Sequence, residues 1–423
     1  MVVAQANVQI ASVDNRLWLA SGVMDGAARA RARCGAARRI VIKVGTRVLV
    51  QANGRPDERR FAALVAQIAS LHQEGREVLL VSSGAIGAGL EALGLKTRPK
   101  LLPELQMAAA VGQGELMQRY SRLFRRRGIH LGQVLLTHED LQERQRHLNA
   151  RNTLQRLLAH RIVPVINEND AVAVEEITFG DNDQLAALVA MLVDAELLVL
   201  LTSTNGLRAP FVSGGDGALA SSKKTRRTRR VPYLPRVGEA ELSIAVGKQS
   251  VLSSGGMASK LKAAQRAADA GSLVVIADGR KPDALTRVAC GEDLGTLIGG
   301  APAAGLDRGR KRWLAFFKRS RGAITIDDGA VRALTEQGKS LLPAGISGVR
   351  GSFGRGALVA IEDRKGHVVA QGLVDYGSEQ IAKIQGRRSS EIAGLLGRKD
   401  YDHVIHRDNM AVLQQRSGKR SRS

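Results

Sequence analysis

The sequence predicts an α/β fold: a three-layer α/β/α sandwich around a mostly parallel sheet, followed by a small β-rich C-terminal domain. Three observations predict it. Short apolar runs of strand length alternate with amphipathic helical stretches over residues 40–277, and such alternation implies a largely parallel sheet covered on both faces. Near Arg321 the texture changes to short alternating runs broken by glycine-rich turns. The chain has 423 residues, room for two or three domains at about 150 residues each.

Each element has its own signal. Ile40–Val44 is a buried-strand run ending at Gly45. Phe61, Leu64, Val65, Ile68 and Leu71 recur at helical spacing and stop at Gly75. Val78–Val81 is the next strand, closed by Ser82-Ser83-Gly84. A long helix is expected from about Pro103 to Arg127, a strand over Ile129–Leu136 and one helix over 138–160. Ile162–Ile166 is again a strand, followed by the polar turn Asn167-Glu168-Asn169-Asp170. Asp183–Val193 reads as a helix, Leu197–Leu201 as a strand, Gly256–Ala270 as a helix and Leu273–Ala277 as a strand. Beyond Arg321, strands are expected at Ala323–Ile326, Ala357–Ile361 and His367–Leu373, with a helix near Gly329–Gln337.

The expected domain plan is an N-terminal extension (1–37) without order, a main domain (38–300) with an atypical basic insertion (208–250), a linker (301–320), the β-rich domain (321–400) and a basic tail (401–423). Charge supports this division. The formal net charge is +23, yet residues 40–207 hold 19 basic and 18 acidic groups. The excess lies in the extension, the insertion with Lys223, Lys224, Arg226, Arg227, Arg229 and Arg230, the linker and the tail. A basic cluster can meet phosphates of nucleic acid or anionic lipid, although a solvated loop is the plainer reading. Aromatic residues are 3% of the chain, which leaves few base-stacking platforms.

Composition excludes several classes. Hydrophobic residues at 44% and charged residues at 24% are those of a globular protein, not of a disordered, collagenous or coiled-coil chain. No run approaches the roughly 18 apolar residues of a membrane-spanning helix. Two cysteines, Cys34 and Cys290, far apart, build neither a disulfide framework nor a multi-cysteine metal site, so a reducing, cytoplasmic location is expected.

Ligands on open parallel sheets gather at the carboxyl ends of the strands, where this chain places Gly45-Thr46, Ser82–Gly89, Asn167–Asp170 and Thr202–Gly206. Ser82–Gly89 is a strand-to-helix turn of the kind that brings backbone N–H groups to an anion, though such turns also serve packing alone. Lys43 ends an apolar strand, where a lysine is seldom found without a partner; an edge lysine reaching solvent is the other reading. Asp170, Asp181 and Asp183 accompany Asn167, Asn169 and Asn182. They could orient lysines, hold an amine or bind Mg²⁺ through water, or merely cap the next helix. Ser254-Gly255-Gly256-Met257-Ala258-Ser259-Lys260 opens a helix with glycines and a lysine, again an anion site. Two lysines without a covalent nucleophile suit phosphoryl transfer, which depends on positioning and charge stabilisation.

Taken in order, Val41–Thr46, Val81–Ile86, Val163–Val172, Gly180–Asp183 and Ser254–Lys260 resemble the glutamate 5-kinases of the amino acid kinase superfamily over roughly residues 38–300, and the part from about 321 is similar to a PUA domain. The resemblance implies ATP-dependent phosphorylation of the side-chain carboxylate of L-glutamate, the first step of proline synthesis. It implies that Lys43 and Lys260 neutralise the transferring phosphoryl group and that Asp183 holds them. Ser83, Asp170 and Asn182 would bind glutamate, with Asp170 meeting its ammonium. Thr202, Ser203 and Ser254, Gly255, Gly256, Met257, Ala258, Ser259 and Lys260 would line the ATP site, together with Lys43. Mg²⁺ would bridge the nucleotide phosphates, with no dedicated protein metal site. Feedback inhibition by proline, a homo-oligomer and RNA binding through the PUA-like domain or the basic insertion are further implications.

One stretch departs from the family pattern. After Leu197–Leu201 these kinases usually carry Thr-Asp, then Gly-Leu-Tyr and Asp-Pro-Arg; here Thr202-Ser203-Thr204-Asn205-Gly206-Leu207-Arg208-Ala209-Pro210 stands instead. The expectation is weakened or re-tuned ATP binding with the carboxylate-activating half intact. Two alternatives stay open: a sibling kinase acting on N-acetylglutamate or aspartate, and an RNA-binding or regulatory protein on a degenerate kinase scaffold.

Overall fold

A computed structural model describes residues 21–51, 55–172, 182–210, 228–246, 256–300 and 320–413. The chain divides into two compact units, Met1–Thr137 with Asn152–Ala301, and His138–Arg151 with Pro302–Ser423. The expected basic residues Lys223–Arg227 and all of the linker but Ser320 lie outside the described residues.

Up to residue 300 the order is α1 (Ser21–Gly35), β1 (Arg39–Val44), α2 (Thr46–Leu49), α3 (Glu58–Gln73), β2 (Glu77–Ser82), α4 (Ala85–Ala92), α5 (Leu102–Arg125), β3 (Leu131–Leu136), α6 (His138–Gln142), α7 (Arg144–Ala159), β4 (Val163–Glu168), α8 (Asn182–Leu192), β5 (Leu197–Thr202), β6 (Arg208–Pro210), β7 (Thr228–Arg230), β8 (Tyr233–Leu234), α9 (Glu239–Val246), α10 (Met257–Asp269), β9 (Leu273–Asp278), α11 (Ala284–Ala289) and β10 (Thr296–Ile298). Eight strands form one sheet in the order β3-β4-β2-β1-β5-β9-β10-β8. The run from β3 to β9 is parallel; β10 is antiparallel to β9, and β8 is parallel to β10. This is the mostly parallel α/β sheet that the sequence predicts. The chain leaves β1 toward β2, β4 and β3 on one side and returns to β5 on the other, so the order reverses at β1, where such sheets bind ligands.

Alternation along β1 decides which face each side chain serves. Ile40, Ile42 and Val44 join the core formed with Phe61, Leu64 and Ile68 of α3, Tyr120 and Phe124 of α5 and Leu285 of α11. Lys43 therefore points to the opposite face, where α8 packs on β1 and α10 packs on α8. Burial on both faces explains why β1, β2 and β5 read as continuous apolar runs. Helix α3 starts where the Asp57 carboxylate accepts the N–H groups of Arg59 and Arg60 at 3.1 and 3.3 Å. Helices α4 and α5 touch backbone to backbone: a Cβ on Gly89 would lie 1.8 Å from Ala108 O, and one on Gly112 1.8 Å from Ala85 O.

Several expectations need correction. Residues 21–35 of the supposedly disordered extension form α1, in which Ala30 and Cys34 are buried. Arg31 closes the contact by donating to Glu292 O, Leu294 O and Pro232 O at 2.9–3.1 Å and pairing with Asp293. Its small, alanine-rich face packs by close approach and carries no stripe of large apolar residues. The single helix expected over 138–160 is two, α6 and α7, and His138–Arg151 groups with the second unit.

The second unit holds a five-stranded sheet in the order β12-β11-β13-β14-β15, built from β11 (Ala323–Ile326), β12 (Ile346–Arg350), β13 (Leu358–Glu362), β14 (Val368–Leu373) and β15 (Met410–Val412). A helix at Asp328–Thr335 is capped by Asp327, which accepts from Ala330 N. Its core includes Ile324, Ile326, Val359, Ile361, Ile381 and Ile405. Strand β15 lies in the stretch read as a basic tail, so the folded part of this unit runs past residue 400.

Candidate active site

The carboxyl ends of β1, β2, β4 and β5 bring the chemistry-bearing segments together. Just past β1, Gly45 N–H donates to Leu201 O at 3.0 Å, tying the end of β1 to β5 beside Lys43. Helix α8 begins with Asn182 and Asp183, and α10 begins after Gly256, which offers no side-chain cap. Lys260 stands in the first turns of α10.

Asp183 is the centre of the arrangement. One carboxylate oxygen lies 2.8 Å from Lys43 Nζ and the other 2.8 Å from Lys260 Nζ. All three residues are buried, Asp183 at 1% exposure, Lys43 at 6% and Lys260 at 8%. Burial pushes the Asp183 carboxyl up, but the charges and hydrogen bonds of the two lysines outweigh it and hold it below the usual carboxylate range. Two buried ammonium groups held at 2.8 Å from one carboxylate form an arrangement suited to stabilising an anion.

A second cluster sits on the β2 and β4 side. Asn182 Nδ2 donates to Ser83 Oγ at 2.9 Å and to Asn167 Oδ1 at 3.1 Å. Asn167 Nδ2 donates to Gln113 Oε1 at 2.9 Å. Ser82 Oγ and Tyr120 Oη share a hydrogen bond of 2.9 Å beneath them. Gly84, at φ +112°, opens α4 in the left-handed region, a backbone that glycine accepts without strain. Asp170 is half-buried, and burial pushes its carboxyl up to about 6, tempered by the positive charge of Arg98.

Thr202 ends β5 in register with Asp278 of β9. Ser203 O accepts from Arg280 Nη2 at 2.6 Å, and Arg280 is itself paired with Asp278 at 2.9 Å. The backbone where the family pattern would place aspartate is thus tied to β9. Gly256, Met257, Ala258 and Ser259 are half-buried at the start of α10. Ser254 and Gly255, like Asp181, lie outside the described residues.

The structure joins Lys43, Asp183 and Lys260 in one cluster and Ser83 with Asn182 in another, consecutive through Asn182 and Asp183. Among the described residues Asp170 makes no hydrogen bond to either cluster; the charge of Arg98 acts on it. Sequence reading missed Gln113, Arg98 and Arg280. For Gln113 a signal existed: Gly112, inside a helical pattern, marks a close backbone approach.

Residues 38–278 match the amino acid kinase family and residues 322–396 match the PUA domain. The chain is 46% identical over 378 residues to glutamate 5-kinase of Moorella thermoacetica, covering 89% of this chain and 97% of that one. It is 45% identical to the glutamate 5-kinases of Teredinibacter turnerae, over 89% of this chain and 97% of that one, and of Thioalkalivibrio sulfidiphilus, over 90% and 99%. With this likeness running nearly the whole length of both partners, and with the matched segments supplying the buried lysine–aspartate–lysine cluster, the chain belongs to the glutamate 5-kinases of the amino acid kinase family, with a C-terminal PUA domain.

Proposed function

We propose that this protein transfers the γ-phosphoryl group of ATP to the side-chain carboxylate of L-glutamate, forming glutamyl 5-phosphate and ADP, the first step of proline biosynthesis. The observation that carries the reading is the single buried carboxylate of Asp183 with one lysine ammonium 2.8 Å from each oxygen. Donor and acceptor are both anions, so their approach requires cations between them. Lys43 and Lys260 supply these, and Asp183 fixes where they stand. Ser83, Asp170 and Asn182 hold glutamate, with the Asp170 carboxylate facing its ammonium. Thr202, Ser203 and the 254–260 turn line the nucleotide.

Among the described residues no group of three or more His, Cys, Asp or Glu could cage a metal. Mg²⁺ is typically held by substrate phosphates, water and few carboxylates; when bound, it would neutralise charge on the nucleotide. No helix among the described residues is long and apolar enough to cross a membrane, and the protein is proposed to work in the cytoplasm. Family membership further supports proline as feedback inhibitor and a homo-oligomeric assembly. RNA binding by the PUA domain or the basic insertion is a separate proposal, tested by salt-dependent tRNA binding with and without residues 321–423.

The deciding experiment offers glutamate, N-acetylglutamate and aspartate separately with ATP and traps acyl phosphate with hydroxylamine. Hydroxamate from glutamate alone is the expected result. Preference for either other acid would replace the substrate, and no hydroxamate from any would remove the kinase reading.

A further inference from the structure

The amide chain behind Asn182 has a direction, and a backbone group sets it. Glu168 N–H donates to the Asn167 side chain at 2.9 Å. A backbone N–H cannot accept, so the atom of Asn167 that it meets is Oδ1. Asn182 must then face the same oxygen with its Nδ2, at 3.1 Å. Asn167 in turn must face Gln113 with its own Nδ2, and Gln113 answers with Oε1 at 2.9 Å. With its Nδ2 already given to Asn167 and Ser83, Asn182 retains Oδ1, a buried acceptor that meets no partner among the described residues.

We propose that Gln113 is a positioning residue for the amino-acid substrate. By accepting from Asn167 it holds Asn167 in place, and Asn167 holds Asn182 with the carbonyl oxygen of its amide open to the substrate ammonium. Asn167 is 1% exposed and Gln113 9%, so no bulk water replaces the lost acceptor if Gln113 is removed. The buried Nδ2 of Asn167 would then lack a partner, and the amide would gain a reason to rotate toward another acceptor. Gln113 owes its place to the neighbouring Gly112, where α5 approaches the start of α4 so closely that no Cβ fits. This inference rests on the assignment of Asn182 to glutamate binding in the proposed reaction.

The test is steady-state kinetics on the full chain, varying glutamate and ATP in turn. Gln113→Leu is expected to raise KM for glutamate about tenfold, the effect of one hydrogen bond worth about 1.4 kcal/mol, with KM for ATP unchanged. Gln113→Glu keeps an acceptor for Asn167 and is expected to restore the glutamate KM to within about threefold of wild type, a shift well below that of losing one hydrogen bond. If Gln113→Leu does not fold, Gln113→Met, which keeps the unbranched shape, is read the same way. Unchanged glutamate KM, an equal rise in both KM values, or a Gln113→Glu variant as impaired as Gln113→Leu overturns the proposal. A wild-type protein with no glutamate turnover would instead sink the proposed function itself.

Discussion

Lys43 and Lys260 lie far apart in the chain, one near the end of a central strand and the other in the first turns of a helix, yet both bring their ammonium groups to 2.8 Å from the same carboxylate. Like charges are brought close here because Asp183 stands between them in a site from which water is largely excluded. The relationship carries the first prediction. Lys260→Ala and Lys43→Met are each expected to lower kcat about 10²- to 10³-fold, the scale of losing a transition-state charge contact. A hydroxamate assay reads this alongside a melting curve, and full activity in either variant would remove the assigned role.

Asp183→Asn removes the carboxylate charge that both buried ammonium groups meet at 2.8 Å and should cost about 3–5 kcal/mol of stability near neutral pH. The folded protein holds this carboxyl below its ordinary value, so its stabilisation is present above an unfolded pKa of about 3.9 and is lost as pH falls through the lower folded value. Urea denaturation of both proteins should show the gap shrinking below about pH 4. A gap of constant size would mean that the charge of Asp183 is not its source.

The half-buried Asp170, with its carboxyl pushed up to about 6, must be ionised to pair with an ammonium. KM for glutamate should therefore rise as pH falls through about 6, while KM for ATP stays level. Asp170→Asn should give a high glutamate KM without this pH dependence. Because the raised value costs stability as pH climbs from about 4 to about 6, the same variant should melt higher at pH 7. A wild-type glutamate KM that is flat between pH 5.5 and 7.5, about half a unit below and 1.5 units above that value, would count against Asp170 as the ammonium partner.

On the nucleotide side, Arg280→Ala releases the Ser203 carbonyl and leaves Asp278 without its paired guanidinium. KM for ATP is expected to rise several-fold with glutamate KM unchanged. Titration of wild type with ATP and GTP shows whether the departures at 203–210 weaken or re-tune nucleotide binding; ordinary ATP affinity would show that they do neither.

Two boundary predictions concern folding. Arg31→Ala removes the side-chain donor of Leu294 O and one of two donors to each of Pro232 O and Glu292 O, which keep Leu297 N–H and Leu294 N–H, and should cost about 1–3 kcal/mol, read by urea denaturation. A chain ending at residue 400 loses β15, exposes the edge of β14 and removes the buried Val404 and Ile405. It should melt below a chain ending at 413; equal midpoints would show that β15 adds nothing.

Much of the fold is legible in the sequence because β1, β2, β4 and β5 are buried on both faces and leave unbroken apolar runs, while α3 and α10 carry clear helical spacing. Helix α1 and the strands β8, β10 and β15 are not legible for an equally physical reason. They are short, or small-faced, and gain stability from what they pack against rather than from their own pattern. The site divides the same way. Lys43, Asp183, Lys260, Ser83 and Asn182 stand in recognisable local motifs. Gln113 and Arg98 act through partners distant in sequence, and Arg280, though paired locally with Asp278, reaches Ser203 O from 77 residues away; local spacing carries no record of these contacts.

By itself, then, the sequence determined the alternation of buried strands and amphipathic helices, the change to a second β-rich unit and the polar segments at the strand ends, because periodicity and turn chemistry are local properties. Tertiary structure alone decided that Lys43 and Lys260 each take a separate oxygen of Asp183, that an amide chain runs from Gln113 to Asn182 with a single polarity, and that α1 is part of the fold. Those outcomes depend on which faces meet when the sheet closes under its helices. Hydrogen bonds and ion pairs form across that closure, between residues that the chain order keeps apart.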